Sequence, residues 1–205
     1  MRFIELTDEQ ITDIYNTHMQ VDFPKSEIKP LKVILEAKAK GFYVCFGLFD
    51  IIKDCENNNG DEKESVKEKL VAYAFLANDR GKRLFLLDYL AVIHGLRGSG
   101  YGGKMLSKLK EYFYENTFVN ALIIEAESIG SSENEEEVFV RKRRIHFYKK
   151  NGLLEQPFLS EVFGTVFTIL ILWIREEEIN ILEEYKNIYK SILTADIYEK
   201  NIKIL

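Results

Sequence analysis

The sequence predicts an α+β fold: a central, mostly antiparallel sheet that contains one parallel strand pair and carries helices on both faces. Three observations predict it. Leu84–Val92 reads as an apolar strand, Gly98–Gly103 as a loop with four glycines in six residues, and the stretch from Lys104 as a helix with Met105, Leu106, Leu109, Tyr112 and Phe113 at helical spacing. The next strand, Ala121–Ser128, must run parallel to the first, because the helix between them makes the crossover. Only one such unit is present, with strand pairs before and after it, which leaves the rest of the sheet antiparallel. A chain of 205 residues suits one domain with an appended element and is long enough to bury a core.

Met1–Leu6 alternates like a short first strand. Thr7-Asp-Glu-Gln10 reads as a capping box opening a helix that carries Ile11, Ile14, Tyr15 and Met19 on one face. Pro24 and Pro30 break that helix, and a second with Leu31, Ile34 and Leu35 runs to Gly41. Phe42–Phe49 and Leu70–Ala77 form a strand pair rich in aromatics and valine. Between them Asp50–Lys69 reads as a long solvated loop, and Asn78-Asp-Arg-Gly81 as a turn into Leu84. After Ala121–Ser128, Ile129–Asn134 is a polar loop. Glu135–Lys150 is a helix whose acidic start and basic end complement its dipole, and Asn151-Gly152 stops it. Val162–Ile174 reads as one long closing strand, too short to span a bilayer. From Glu176 onward Ile179, Leu182, Tyr185, Tyr189, Ile192 and Leu193 make a helical stripe continuing or restarting toward Leu205. Residues 1–175 are expected to form the domain; 176–205 is a helical extension packed on it or at a homodimer interface.

The glycine loop collects free backbone N–H groups and the positive end of a helix dipole at one point, which makes it an anion site with phosphate as its usual occupant. Three phosphate motifs compete for it. Gly98, Gly100 and Gly103 satisfy the dinucleotide fingerprint G-x-G-x-x-G, with Glu125 and Glu127 a little over twenty residues on. Gly98–Lys104 satisfies the P-loop up to its last position, where Met105 replaces the hydroxyl that should hold magnesium, so that reading is discarded. The acyl-CoA motif R/Q-x-x-G-x-G/A is met by Arg97-Gly98-Ser99-Gly100-Tyr101-Gly102. A dinucleotide domain wants repeated strand–helix units around the turn, and this chain has one.

With Leu90-Ala91-Val92, the loop through Gly103, and Arg144-Ile-His-Phe-Tyr-Lys-Lys-Asn-Gly-Leu153, residues 1–175 resemble the GCN5-related N-acetyltransferase (GNAT) family, in a bacterial type with a C-terminal helical extension. The resemblance implies acetyl-CoA as the acyl donor. The loop Arg97, Gly98, Ser99, Gly100, Tyr101, Gly102, Gly103 and Lys104 would hold its pyrophosphate. Leu90, Ala91 and Val92 would pair with the pantetheine arm and offer N–H to the thioester carbonyl. Glu125 matches a strand glutamate that serves some members as base, with Glu127 in reserve. Tyr148 matches the tyrosine that faces the sulfur and acts as acid. The segment between the first two helices borders the acceptor pocket in such enzymes, which makes Phe23 and Glu27 substrate candidates; packing and capping of the linker is the alternative. Two departures stand out: His94 where the family often has proline, and Arg141 where it often has asparagine, with Arg141 still placed to meet CoA.

Read from the residues alone, Glu125 and Glu127 share a strand face with Ile123, either because that face is solvated or because it lines a cleft where the parallel strands part. His94 and His146 are candidates for proton transfer or plain surface residues. The function expected is N-acetyl transfer to a primary amine by direct attack, the acceptor being a small molecule or a peptide or protein amine. Two other classes stay open: a noncatalytic acetyl-CoA-binding regulatory module, and a nucleotide-cofactor enzyme. Net charge of −5 argues against a broad nucleic-acid surface. Two cysteines give no disulfide framework and fit a reducing cytoplasm; no signal peptide, membrane span or metal site is read.

Overall fold

Thr7 opens the first helix as its capping box requires: the Gln10 N–H donates to the Thr7 hydroxyl (3.3 Å) and the Thr7 N–H to the Gln10 side chain (3.0 Å). The computed structural model describes residues 1–58, 61–79, 83–177 and 179–205. Strand β1 (Arg2–Glu5) leads into α1 (Asp8–Ile14), a π-helical turn (Tyr15–Met19) and the short α2 (Gln20–Asp22). Phe23, forced extended by Pro24, ends this run. Next come α3 (Leu31–Ala39), β2 (Tyr43–Asn58), β3 (Asp61–Asn78) and β4 (Leu84–Val92). They are followed by α4 (Tyr101–Asn116), β5 (Ala121–Glu127), a 3₁₀ turn (Ile129–Ser131) and α5 (Glu135–Lys150). The chain closes with β6 (Leu154–Val162), β7 (Thr165–Trp173), α6 (Ile181–Ile192), α7 (Ala195–Asn201) and β8 (Ile202–Ile204).

One eight-stranded sheet has the order β1-β2-β3-β4-β5-β7-β6-β8. Every neighbouring pair is antiparallel except β4–β5, so the α+β expectation and its single parallel pair both hold. Alternating side chains feed two cores. On one face Ile11, Ile14, Ile34, Ile181, Tyr185, Ile188 and Tyr189 cover Tyr73, Phe75, Leu86, Tyr89 and Ile123. On the other, Met105, Leu106, Leu109 and Phe113 of α4 and Ile145 and Tyr148 of α5 cover Leu87, Leu122, Ile124 and Ala126. Burying both faces explains why β4 and β5 are near-continuous apolar runs.

Three expectations are corrected. Asp50–Lys69 is not a loop: β2 and β3 run on as a two-stranded ribbon, in register from Asp50↔Lys69 to Asn58↔Asp61. Polar composition does not stop a ladder: past a bulge at Leu48/Phe49 the two strands stay paired, and no proline interrupts them. Residues 59 and 60 lie outside those described; as sequence they are Asn-Gly, the strongest short hairpin signal. The expected turn at 78–81 likewise falls partly outside them, at residues 80 and 81. The closing strand Val162–Ile174 is present as Thr165–Trp173, but an unexpected strand, Leu154–Val162, precedes it, and Phe163 (φ 49°) and Gly164 (φ 85°) fold the chain back between the two. The tail does not end as helix: Ile202–Ile204 pairs with Ser160–Val162 and extends the sheet. Among the described residues no helix is long and apolar enough to cross a membrane.

Candidate active site

The sheet forks between β4 and β5. Their pairing ends at Leu87↔Ile124; beyond it β4 stays with β3, through Tyr89↔Phe75 to Val92↔Ala72, while β5 stays with β7. A β-bulge marks the divergence. Phe75 faces Tyr89 and Leu76 faces Leu87, leaving Asp88 as the extra residue on β4. A bulge puts two successive side chains on one face and bends the strand away from its neighbour. Asp88 and Tyr89 therefore both face the α1–α6 side. Glu125, the first β5 residue past the last pair, faces the same way. The two carboxylates stand across from each other at the fork.

Neither is bare. Lys29, in the segment after Pro24, places its ammonium 2.6 Å from both oxygens of Asp88, and the Tyr43 hydroxyl donates to the same carboxylate. Tyr89 supports the segment by accepting from the Lys29 N–H (2.9 Å) and donating to the Glu27 carbonyl (2.7 Å). Burial works against the Lys29 ammonium, but Asp88 outweighs it and raises the Lys29 pKa. Burial and the same carboxylate push Tyr43 well up, and Tyr89 rises to about 12, by burial first and Asp88 second. Glu125 accepts from the Tyr185 hydroxyl and from Tyr189, whose oxygen lies 2.7 and 2.9 Å from its two oxygens. Burial raises the Glu125 pKa; the two tyrosine donors pull against that rise without cancelling it.

The Lys29–Asp88 pair has an asymmetric energetic signature. Asp88 is 14% exposed and Lys29 42%. Lys29→Met strands the carboxylate and should cost about 2 kcal/mol, less than the roughly 3–5 of a fully buried pair because the Lys29 side chain is partly exposed. Asp88→Asn frees the lysine to reach water and should cost about 1 kcal/mol or less. Denaturant unfolding of both variants reads the order directly; the reverse order would mean that the lysine, not the aspartate, is the trapped charge.

The open edge of β4 is set by hydrogen-bond parity. The Ile93 N–H donates to the Val71 carbonyl (3.0 Å), which directs the polar groups of Ala91 toward β3 as well. Those of Leu90 and Val92 point into the fork. Beyond them Gly98 and Gly100 both hold φ of +84°, a conformation side chains disfavour, and a Cβ on either would meet nothing within 4 Å. Gly100 caps α4, so the N–H groups of Tyr101, Gly102 and Gly103 open the helix without intrahelical acceptors. Open space beside free N–H donors at a helix start is the chemistry of an anion site. Gly102 and Gly103 have a second reason to be glycine. A Cβ would stand 3.0 Å from the Phe147 ring at the first and 2.6 Å from Asn151 Oδ1 at the second, so they let α4 approach α5 closely.

The charged residues of the motif are placed differently from one another. Lys104 lies over the Tyr101 ring (4.9 Å), and Tyr101 donates to Asp50 (3.1 Å). The Ser99 N–H turns inward to the Leu96 carbonyl (3.3 Å). Arg97 is spent on Asp22, at 2.7 Å, whose 1%-exposed carboxylate also accepts from Tyr73 (3.0 Å). It ties the loop to the end of α2. Arg141 is likewise engaged, with the Ser128 carbonyl (2.8 Å), Ser131 Oγ (3.0 Å), Glu127 and Glu137. Glu127 takes a guanidinium on each oxygen, from Arg141 (3.2 Å) and Arg144 (2.8 Å).

Tyr148 lies on α5, on the opposite face of the sheet from Glu125, and is 9% exposed. Burial raises its pKa, against a smaller opposing pull from Arg144. Phe23 packs edge-on to Tyr89 (5.1 Å) and Tyr73 (6.5 Å), on the same face as Glu125. Glu27 is exposed at the cleft mouth, its pKa raised by desolvation and then by Glu127, against Arg144. His94 and His146 are exposed. Sequence reasoning missed Asp88, Lys29 and Tyr43. Asp88 left a signal, a charge in the middle of Leu-Phe-Leu-Leu-Asp-Tyr-Leu, whereas Lys29 and Tyr43 left none.

No protein-family model matches the chain, and no curated protein matches its sequence. Solved structures do. A GNAT-family protein from Bacteroides thetaiotaomicron is 19% identical, with 96% of this chain and 98% of that one covered and a TM-score of 0.62. The chain has the GNAT fold. The ribosomal-protein-S18-alanine N-acetyltransferase of Escherichia coli is 17% identical over 88% of this chain and 97% of that one, with a TM-score of 0.55. A chimera of the spermidine N-acetyltransferase SpeG from Vibrio cholerae and hSSAT is 11% identical over 85% and 96%, with a TM-score of 0.56. In this GNAT fold the fork, the bulge at Asp88 and the glycine cradle lie along one line down β4 and into α4.

Proposed function

We propose that the protein transfers an acetyl group from acetyl-CoA to a primary amine by direct attack, with Glu125 as base and Tyr148 as acid. One observation carries the reading: the sheet opens beside the buried carboxylate of Glu125 on one face, and Tyr148 is buried on the other face of the same sheet. When bound, acetyl-CoA supplies a thioester carbonyl and a thiol leaving group. The N–H groups of Gly98 and of Gly100 to Gly103 bind its phosphates, with Lys104 adding charge. Leu90 and Val92 pair with its pantetheine arm through the open edge of β4. Glu125 takes the proton an acceptor ammonium must lose, and its raised pKa makes it a better base than an ordinary glutamate. Tyr148, its pKa raised, keeps its proton at neutral pH and gives it to the departing sulfur.

The acceptor enters from the α1–α6 face, past Phe23 and Glu27. The named neighbours act on an S18 alanine and on spermidine, so the same fold serves protein and small-molecule amines. Either class fits here. Thermal-shift titration tests the donor: acetyl-CoA should raise Tm and NAD should not, and stabilisation by NAD alone would end this reading. An acceptor screen that detects released thiol then tests the acid. Tyr148→Phe should lower kcat by about 10²-fold, the low end for a positioned acid because water also protonates a thiolate. Its KM for acetyl-CoA should hardly move, since the ring remains.

A further inference from the structure

Helix α6 lies outside the strand–loop–helix machinery, yet it supplies two hydroxyls to the proposed base. Tyr185 and Tyr189 are spaced four apart and so share one helical face. They are 0% and 6% exposed, and both hydroxyls end on the Glu125 carboxylate. The Tyr185 oxygen is also 2.8 Å from Ser160 Oγ of β6. A tyrosine has one proton to give. With that proton on Glu125, the serine hydroxyl must donate to the tyrosine oxygen, making a chain Ser160 → Tyr185 → Glu125 ← Tyr189.

We propose that Tyr185 and Tyr189 are positioning residues for Glu125, orienting its carboxylate at the fork and holding it in the ionised form that accepts the acceptor's proton. The proposal rests on the reading of Glu125 as the base. Two neutral donors do what a cation cannot do here, because they favour the anion without occupying the place of the incoming ammonium. Tyr189 spans both oxygens and fixes the plane of the group, while Tyr185 is strengthened as a donor by the serine behind it. The other charged groups facing this carboxylate are Asp88 of β4, which disfavours its ionisation, and Lys29, which favours it. Ordinary packing would also bury two tyrosine rings, but it would not bring both hydroxyls to one carboxylate from one helix face.

The test needs no acceptor. Infrared difference titration of the full chain follows the protonated-carboxyl band of Glu125, assigned by its loss in Glu125→Gln. A hydrogen bond to a charged group is worth about 1.5–3 kcal/mol, so Tyr185→Phe or Tyr189→Phe should raise the midpoint by about one pH unit or more. Ser160→Ala should raise it by less, and Tyr198→Phe on α7 should leave it unchanged. Once an acceptor is in hand, the acid limb of kcat/KM should move up with the midpoint while KM for acetyl-CoA stays fixed. Unmoved midpoints in both tyrosine variants would overturn the proposal, and if one of them fails to fold, the other and Ser160→Ala still decide. Shifted midpoints with a fully active Glu125→Gln would instead remove the base assignment and leave the tyrosine clamp standing.

Discussion

Glu125→Gln should lower kcat/KM by about 10²–10⁴-fold at neutral pH, the range expected for removing a positioned base. The pH dependence follows from the direction of its pKa. Burial raises that pKa, so the wild-type carboxylate protonates, and activity falls, above the usual carboxylate range as pH is lowered. The glutamine variant loses this limb and follows the fraction of free amine, tenfold for each pH unit below the amine's own pKa. The gap between the two enzymes should therefore grow as pH falls from the amine pKa to the Glu125 pKa, hold that maximum below it, and close at high pH, where the amine needs no base. Glu127→Gln should do less, because each of its oxygens already engages a guanidinium. A larger loss in Glu127→Gln would move the reacting centre from the fork toward the end of β5.

The second large effect is on donor binding. Gly100→Val should weaken acetyl-CoA binding by about 10–100-fold, the loss of one or two charge-assisted N–H bonds at roughly 1.4 kcal/mol per factor of ten. A valine at φ +84° also costs about 1–3 kcal/mol of strain, so a fall in Tm alone would say nothing about phosphate. Gly41→Val separates the two effects. It too sits at positive φ, +77°, with open space around it, but at the far end of the sheet, where β2 begins. It should lose Tm and keep its acetyl-CoA affinity in a calorimetric titration. Equal affinity in both variants would show that the phosphates lie elsewhere than the cradle.

Much of this was legible in the sequence because it depends on neighbours in the chain. Thr7 and Gln10 cap a helix three residues apart, and Leu84–Val92, the glycines and Met105–Phe113 specify strand, cradle and helix by local pattern alone. The crossover helix then required β4 and β5 to be parallel, and alternation placed Glu125 and Glu127 on the same side of β5. The polar run 50–69 misled because composition reports solvation, whereas a ladder is made by backbone pairing, which the two strands carry on past the bulge at Leu48/Phe49. The Phe163–Gly164 turn hid inside an apolar run for a related reason: backbone twist, not hydropathy, folds it back.

What only the tertiary structure decided is the set of partners each charge takes. Arg97 is the letter of the acyl-CoA motif that suggested phosphate, but Asp22, 75 positions away, holds it. Lys29 neutralises Asp88 from 59 positions away, and Tyr185 and Tyr189 reach Glu125 from 60 and 64. The bulge that turns Asp88 onto the face of Glu125 depends on how β3 and β4 register, which no local pattern in β4 states. Helices and turns are written in contacts a few residues long, so sequence determines them. The state of a buried carboxylate depends on which donors the fold packs around it, and those come from whichever elements share its face.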